Sequence, residues 1–408
     1  MIPKKVWLQS KLFDITLWMG TLAFSGVFIF FAGQVNTANR LSPWLFIALV
    51  VAFDVSHVYA TLYRVYMDKK ERKRRPKVYY TSILILYLLS VLTYAINPML
   101  FFSLLAYYAV YHFIKQHYGF VALYKHKLKE RSSLDYHLDR WTVFVGTGYP
   151  ILWWHTHLPR NFSWFMDGDF IELISWISKP IELMGISQSA VEAVKESFRF
   201  IFNEVFFVLY ILVILVYFAR QVFLYSKLGF FNPGKNLVMA GVWISWYMGI
   251  IHYNNDIIWN AFIILYHAIP YFALIWLYST RKNMDQQGES QNKVLRFLTT
   301  PRNWLFFYLF LFALGLLEEV FWDFFVWKQY LSPYLTGLFN NGYFWNSLSD
   351  KLLGTGKGWN PSIANRWHYI LWVPLLTVPQ ILHYYLDSEI WRFDGRNPDL
   401  RRHLHLED

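Results

Sequence analysis

Apolar runs close to the length of a bilayer crossing recur along this chain, at residues 12–32, 43–66, 79–96, 98–124, 140–158, 199–223, 237–252, 257–279, 303–326 and 367–389. A spanning helix needs roughly 20 predominantly apolar residues, and in hydrocarbon the backbone must satisfy its own hydrogen bonds. The sequence therefore predicts an all-α, polytopic transmembrane bundle of about ten helices, forming a single domain over residues 1–408. Charged residues make up 16% and hydrophobic residues 56% of the chain, against roughly 25% charged in an ordinary soluble domain. The first run, from about Leu12 to Phe31, has no small-residue cleavage site and reads as a spanning helix rather than a signal peptide.

Charge placement sets an orientation. The net charge is +11, but the basic residues sit between apolar runs, in alternate connections. Lys4, Lys5 and Lys11 precede the first helix, the basic stretch Lys69–Lys77 follows the second, and Lys125, Lys127, Lys129 and Arg131 follow the fourth. Arg220, Lys227 and Lys235, then Arg281, Lys282, Lys293 and Arg296, then Arg392, Arg396, Arg401 and Arg402 continue the pattern. Positive residues stay cytoplasmic, so both termini are expected there, in a bacterial inner membrane, and nucleic acid is not an expected partner. The long outer connections 159–198 and 327–366 are rich in Trp, Phe, Ile and Leu and are expected to form interfacial helices or a lid. The seventh helix ends in His252-Tyr253-Asn254-Asn255-Asp256, read as a tight outer hairpin, with a re-entrant helix as the rival.

The chain has no cysteine, which excludes disulfides, thiolate metal sites and cysteine nucleophiles. Histidines inside the apolar runs take their place as the informative residues. At about 1.5 Å rise per residue, His57, His112 and His267 fall within roughly 3 Å of the middle of their helices, with His117 and His383 about 7 to 9 Å toward the cytoplasm. Helical phase puts Asp54, His57, Thr61, Arg64 and Asp68 on one stripe; His112 with Lys115 and Gln116; Asn260 with His267 and Tyr271; and Gln380, His383, Tyr384 and Asp387 together. His117 points well away from His112. Glu318, Glu319 and Asp323 add three acids to an apolar run, which is costly unless they are paired, protonated or bound to a cation.

Ionisable groups at this depth usually line a functional cavity. Metal ligation is the expected use, with His57, His112, His267 and His383 as first ligands. His117, His252, Asp54, Asp256, Glu319 and Asp387 are the further ligands or the partners that orient a ligating imidazole. Imidazole with oxygen and no thiolate suits iron, as one or two non-haem ions, ahead of manganese, copper or zinc. In these histidines on several helices the chain resembles the histidine-rich integral-membrane non-haem iron oxygenases, a group of hydroxylases, desaturases and carotene dioxygenases. The resemblance implies a membrane oxidoreductase of lipid metabolism, acting on a hydrophobic or lipid-like substrate from the bilayer and served by an electron-donor protein at the cytoplasmic face. The paired HxxxH and HxxHH clusters of the desaturases are missing: His112 to His117 is HxxxxH and His155-Thr156-His157 is HxH.

Three other functions fit parts of the pattern. Two opposed histidines suit a haem, a His/Asp general base suits an acyl or glycosyl transferase, and a chain of acids and histidines suits a proton-coupled transporter. His155 and His157 are expected at the outer interface. His126, His137, His368, His403 and His405 are expected in solvent. Arg64 and Lys115 either receive an anionic group or snorkel, with Arg64 pairing to Asp68.

Overall fold

The computed structural model describes residues 6–32, 43–157, 165, 168–253, 256–285, 293–327 and 364–406, with the side chains of Phe31, Ala32, Pro43 and Asp256 outside that description. Among the described residues every regular element is helical. Helices occur at all ten expected spans: α1 (Lys11–Phe30), α2 (Phe46–Met67), α3 (Pro76–Ile96), α4 (Pro98–Lys127), α5 (Ser133–Thr156), α6 (Leu173–Leu183), α7 (Gln188–Leu228), α8 (Pro233–Trp246), α9 (Ile257–Asp285), α10 (Pro301–Trp327) and α11 (Trp367–Ile390). Beyond these spans, α6 lies in the outer connection, where α7 also starts earlier than the apolar run does, and short helices occur at Lys69–Arg74, Lys293–Leu298 and Leu400–His403. The second outer connection falls almost wholly outside the described residues.

Six helices, α1, α2, α3, α7, α9 and α10, are long and apolar enough to cross a membrane. The others are shorter or more polar. α8 has 14 residues, α4 carries His112, Gln116 and His117, and α11 carries His383 and Asp387 beside Pro374 and Pro379. Much of the site chemistry thus sits on helices that composition alone ranks lowest as spans.

The chain divides into two compact units. Unit one comprises 1–40, 109–270 and 405–408, and unit two comprises 41–108 and 271–404. In unit one, Trp18 Nε1 donates to Tyr124 Oη at 2.9 Å, and Tyr124 Oη donates to the fully buried Asp14 at 2.7 Å. A Cβ on Gly241 would lie 1.9 Å from Tyr266 Oη, so only glycine lets that tyrosine reach the α8 backbone. At the basic end of this unit Lys235 Nζ donates to Glu130 at 2.9 Å and Lys125 pairs with Asp139. These buried cations are paired, as burial of charge requires. Unit two packs Val65, Tyr79, Val378, Leu382, Leu386 and Ile390 into one cluster, and Gly315 brings α10 against Ser56 of α2.

Wide π-type turns interrupt α2 at Phe46–Val55 and Tyr63–Met67, and α9 at Asn260–Ile264. His57 lies on the regular stretch between the two in α2. Each wide turn shifts the helical phase of the residues beyond it, because it takes more than 3.6 residues per turn.

Candidate functional site

In unit two, α2 and α11 bring His57 and His383 together. Both are 0% exposed, and their rings meet edge to face with centroids 4.7 Å apart. Asp54 Oδ1 lies 3.6 Å from His57 Nδ1, too far for a hydrogen bond. His383 is held more tightly. Its Nδ1 is 2.7 Å from Thr61 Oγ1, and Thr61 donates onward to Asp387 Oδ1 at 2.8 Å. Tyr271 Oη donates to the same carboxylate oxygen at 2.5 Å and also touches the Thr61 hydroxyl.

A hydroxyl has one proton to give. With that proton on Asp387, Thr61 accepts from His383, which fixes the ring as the Nδ1–H tautomer. Nε2 is then the deprotonated nitrogen, the one that can coordinate a metal. Asp387 acts on His383 through Thr61, since its own oxygen is 3.7 Å from Nδ1. Gln380 lies on the expected face but donates to Tyr384 Oη at 2.5 Å.

In unit one, α4 and α9 bring His112 and His267 together with ring centroids 5.2 Å apart, again edge to face. Both are buried. Phe113 stacks on His267 at 3.8 Å, and Gln116 Nε2 donates to the His267 carbonyl at 3.0 Å. Gln116 thereby ties the two helices together instead of contacting the His112 ring. Within each of the two pairs, a ring nitrogen of one histidine lies within 4.8 Å of a ring nitrogen of the other. A metal–imidazole bond is about 2.0–2.1 Å, so each pair is close to the reach of one ion.

The remaining expected ligands take other places. His117 is fully buried and its Nε2 accepts from Trp246 Nε1 at 3.1 Å; that lone pair is committed to the indole, which makes His117 a bridge between α4 and α8. His252 is exposed at the end of the wide turn that follows α8, against Tyr253. The Asp256 side chain lies outside the described residues. Asn260 is buried, but the wide turn it begins changes its phase relative to His267. Glu318 accepts from Tyr59 Oη at 2.7 Å and from Trp322 Nε1 at 3.2 Å. The half-buried Glu319 and the buried Asp323 border a cavity of about 10 Å³.

Two expectations about polar residues are corrected. Arg64 neither snorkels nor pairs with Asp68: it is 2% exposed, stacked between Tyr278 at 4.0 Å and Trp391 at 4.1 Å, and donates to the Ile390 carbonyl at 3.0 Å. Asp68 instead pairs with Lys282 at 2.7 Å. Burial would raise the Asp68 carboxyl, but the Lys282 ammonium and the Glu71 and Lys70 N–H groups outweigh it and hold it below its ordinary value. Lys115 is exposed. His368 and His403, expected in solvent, are buried; His126, His137 and His405 are exposed. His403 packs on Tyr278 and lies 3.2 Å from Asp285. His155 is buried with Nδ1 2.6 Å from the Ile151 carbonyl, and His157 stacks on Trp153.

Trp246, Trp391 and Lys282 carry no local sequence signal of their part in these polar sites. Trp391 comes four residues after Asp387, one helical turn, and is the most accessible of the three to a sequence argument. The chain matches no protein-family model, no curated protein and no solved structure.

Proposed function

We propose that the protein is a ten-span membrane enzyme in which His57, His112, His267 and His383 hold non-haem metal, as one or two ions and iron first, for oxidation of a hydrophobic substrate drawn from the bilayer. One observation carries the reading: within each unit, two of the four histidines selected by depth and phase meet as a buried pair from different helices. Helix-to-helix bridging by polar side chains gives no reason for the same residue type to pair twice. The donor set also suits the group, being imidazole with nearby carboxylate and hydroxyl oxygen and no thiolate. Such a metal supplies oxygen-activating chemistry when bound. The chain's own part is to hold the proton on His383 Nδ1 through Thr61 and Asp387 and to keep the histidines away from water.

The test is metal content of detergent-purified protein after reconstitution with ferrous iron. The wild type should carry iron, and His57→Ala, His383→Ala, His112→Ala and His267→Ala should each lose most of it. A wild type that stays metal-free sinks the oxidative reading. Bound metal that survives all four substitutions leaves a metalloprotein with other ligands. A His/Asp general base for group transfer draws on the same His383 network, and differs in that its activity would persist in chelator.

A further inference from the structure

The polar stripe of α2 runs past Thr61 to a second feature that the histidine pairs do not use. A cavity of about 20 Å³ is bordered by Arg64, Asp68, Lys282, Asn283 and Thr299, among others. That is room for one water-sized group. Arg64 is 2% exposed, and the rings of Tyr278 and Trp391 cover its two faces. Nη2 serves the Ile390 carbonyl. Among the described residues, Arg64 Nε and Nη1 have no hydrogen-bond partner. A buried guanidinium with unused donors is costly until an acceptor completes it.

Charge points the same way. Arg64 and Lys282 border the cavity against the single carboxylate of Asp68, one of whose oxygens is 2.7 Å from Lys282. The nearby buried Glu71 is already engaged, accepting from Tyr79 Oη at 2.5 Å and lying 3.2 Å from Arg74. The Asp387 carboxylate also acts on Arg64 through space but takes its hydrogen bonds from Thr61 and Tyr271, so the two Arg64 donors stay unmet, and the space admits one oxygen atom.

We infer that this cavity is an anion site that takes one oxygen of a singly charged carboxylate, from a small ion in solution or from the head of a fatty amphiphile. Planar guanidinium donors match carboxylate geometry, and Trp391, in contact with Arg64, reports occupancy. The inference does not depend on the metal reading, because the assay is read without added metal.

Purified protein is titrated with formate and, separately, with dodecanoate below its micellar range, following the tryptophan fluorescence that is lost in Trp391→Phe. Saturation by formate identifies a small-ion site; saturation by dodecanoate alone identifies a head-group site. Arg64→Gln should abolish the response. Asp68→Asn is the stronger test, because it removes the competing charge while Asn still caps the short helix Lys69–Arg74 at the Lys70 and Glu71 N–H groups. It should tighten binding about tenfold, a gain that misfolding does not imitate. No saturable response to either carboxylate, or an Asp68→Asn variant with unchanged or weaker affinity, overturns the site.

Discussion

His57 and His383 in unit two stand beside carboxylate and hydroxyl oxygens, whereas the neighbours that place His112 and His267 in unit one include a stacked phenyl ring and an amide bound to backbone. On the first pair converge Asp54, Thr61, Asp387 and Tyr271. On the second, Phe113 stacks against a ring, and the Gln116 hydrogen bond goes to backbone. The difference separates two ways of preparing an imidazole. Hydrogen bonding chooses which nitrogen carries the proton, while packing chooses only where the ring sits. His383 is therefore prepared in both orientation and protonation, while the Phe113 and Gln116 contacts of unit one act on orientation.

The largest expected effect breaks the oxygen network at its centre. Asp387→Leu removes the carboxylate oxygen that accepts from both the Thr61 and Tyr271 hydroxyls and should cost about 1–3 kcal/mol. Gln116→Leu removes one bond to a carbonyl and should cost about 1 kcal/mol. Thermal or denaturant unfolding in mixed micelles measures both. Equal losses would mean that the oxygen network is no more important to stability than the single amide contact.

Thr61→Val sharpens the same contrast at the level of the ligand. It keeps the side-chain shape, deletes the acceptor of His383 Nδ1, and should lower metal affinity about 10- to 100-fold, the usual effect of losing a partner that orients a ligand. Gln116→Leu should hold metal as the wild type does, because no ring nitrogen loses a partner. Competition with a chelator reads the affinities. A Thr61→Val protein that retains wild-type affinity would show that the tautomer is not set by this hydroxyl.

The same contrast explains which features are legible in the sequence. His57, Thr61, His383 and Asp387 follow from phase because the helix between Ser56 and Leu62 and all of α11 are regular, so spacings of three and four do place residues on one face. Asn260 escapes that ruler because a wide turn starts at it. The role of His117 depends on an indole 129 positions away, and the fate of Arg64 on the rings of Tyr278 and Trp391, both distant in the chain; local periodicity says nothing of either. Asp14, inside the first apolar run, belongs to no polar stripe in the sequence although it is fully buried and bonded to Tyr124. Its partner too lies outside any local window. The helical class and the histidine pairs are readable, then, where the signal is local and repeated, and the partners are hidden where a single distant side chain supplies them.

The smallest effect lies where the polar stripe of α2 ends. Asp68 is held below its ordinary carboxyl value by Lys282 and two helix N–H groups, against the opposing effect of burial. A carboxyl with a lower native than unfolded pKa stabilises the fold above its unfolded value, and this contribution disappears as pH falls through the native one. Loss should therefore begin below about pH 4. Arg64 and Glu71 also stand near this group, but both are present in wild type and variant alike. His403 contributes a separate loss that begins at higher pH: burial and the Lys282 charge lower its pKa, so its stabilisation is complete above about pH 6.5 and falls as the ring takes a proton. Comparing the wild type with Asp68→Asn isolates the first of these. The two proteins should show the same decline between pH 7 and 5 and diverge only below about pH 4, with the variant flatter there. Divergence that starts near neutrality would instead assign the Asp68 carboxyl a raised value, and with it a Lys282 contact too weak to offset burial.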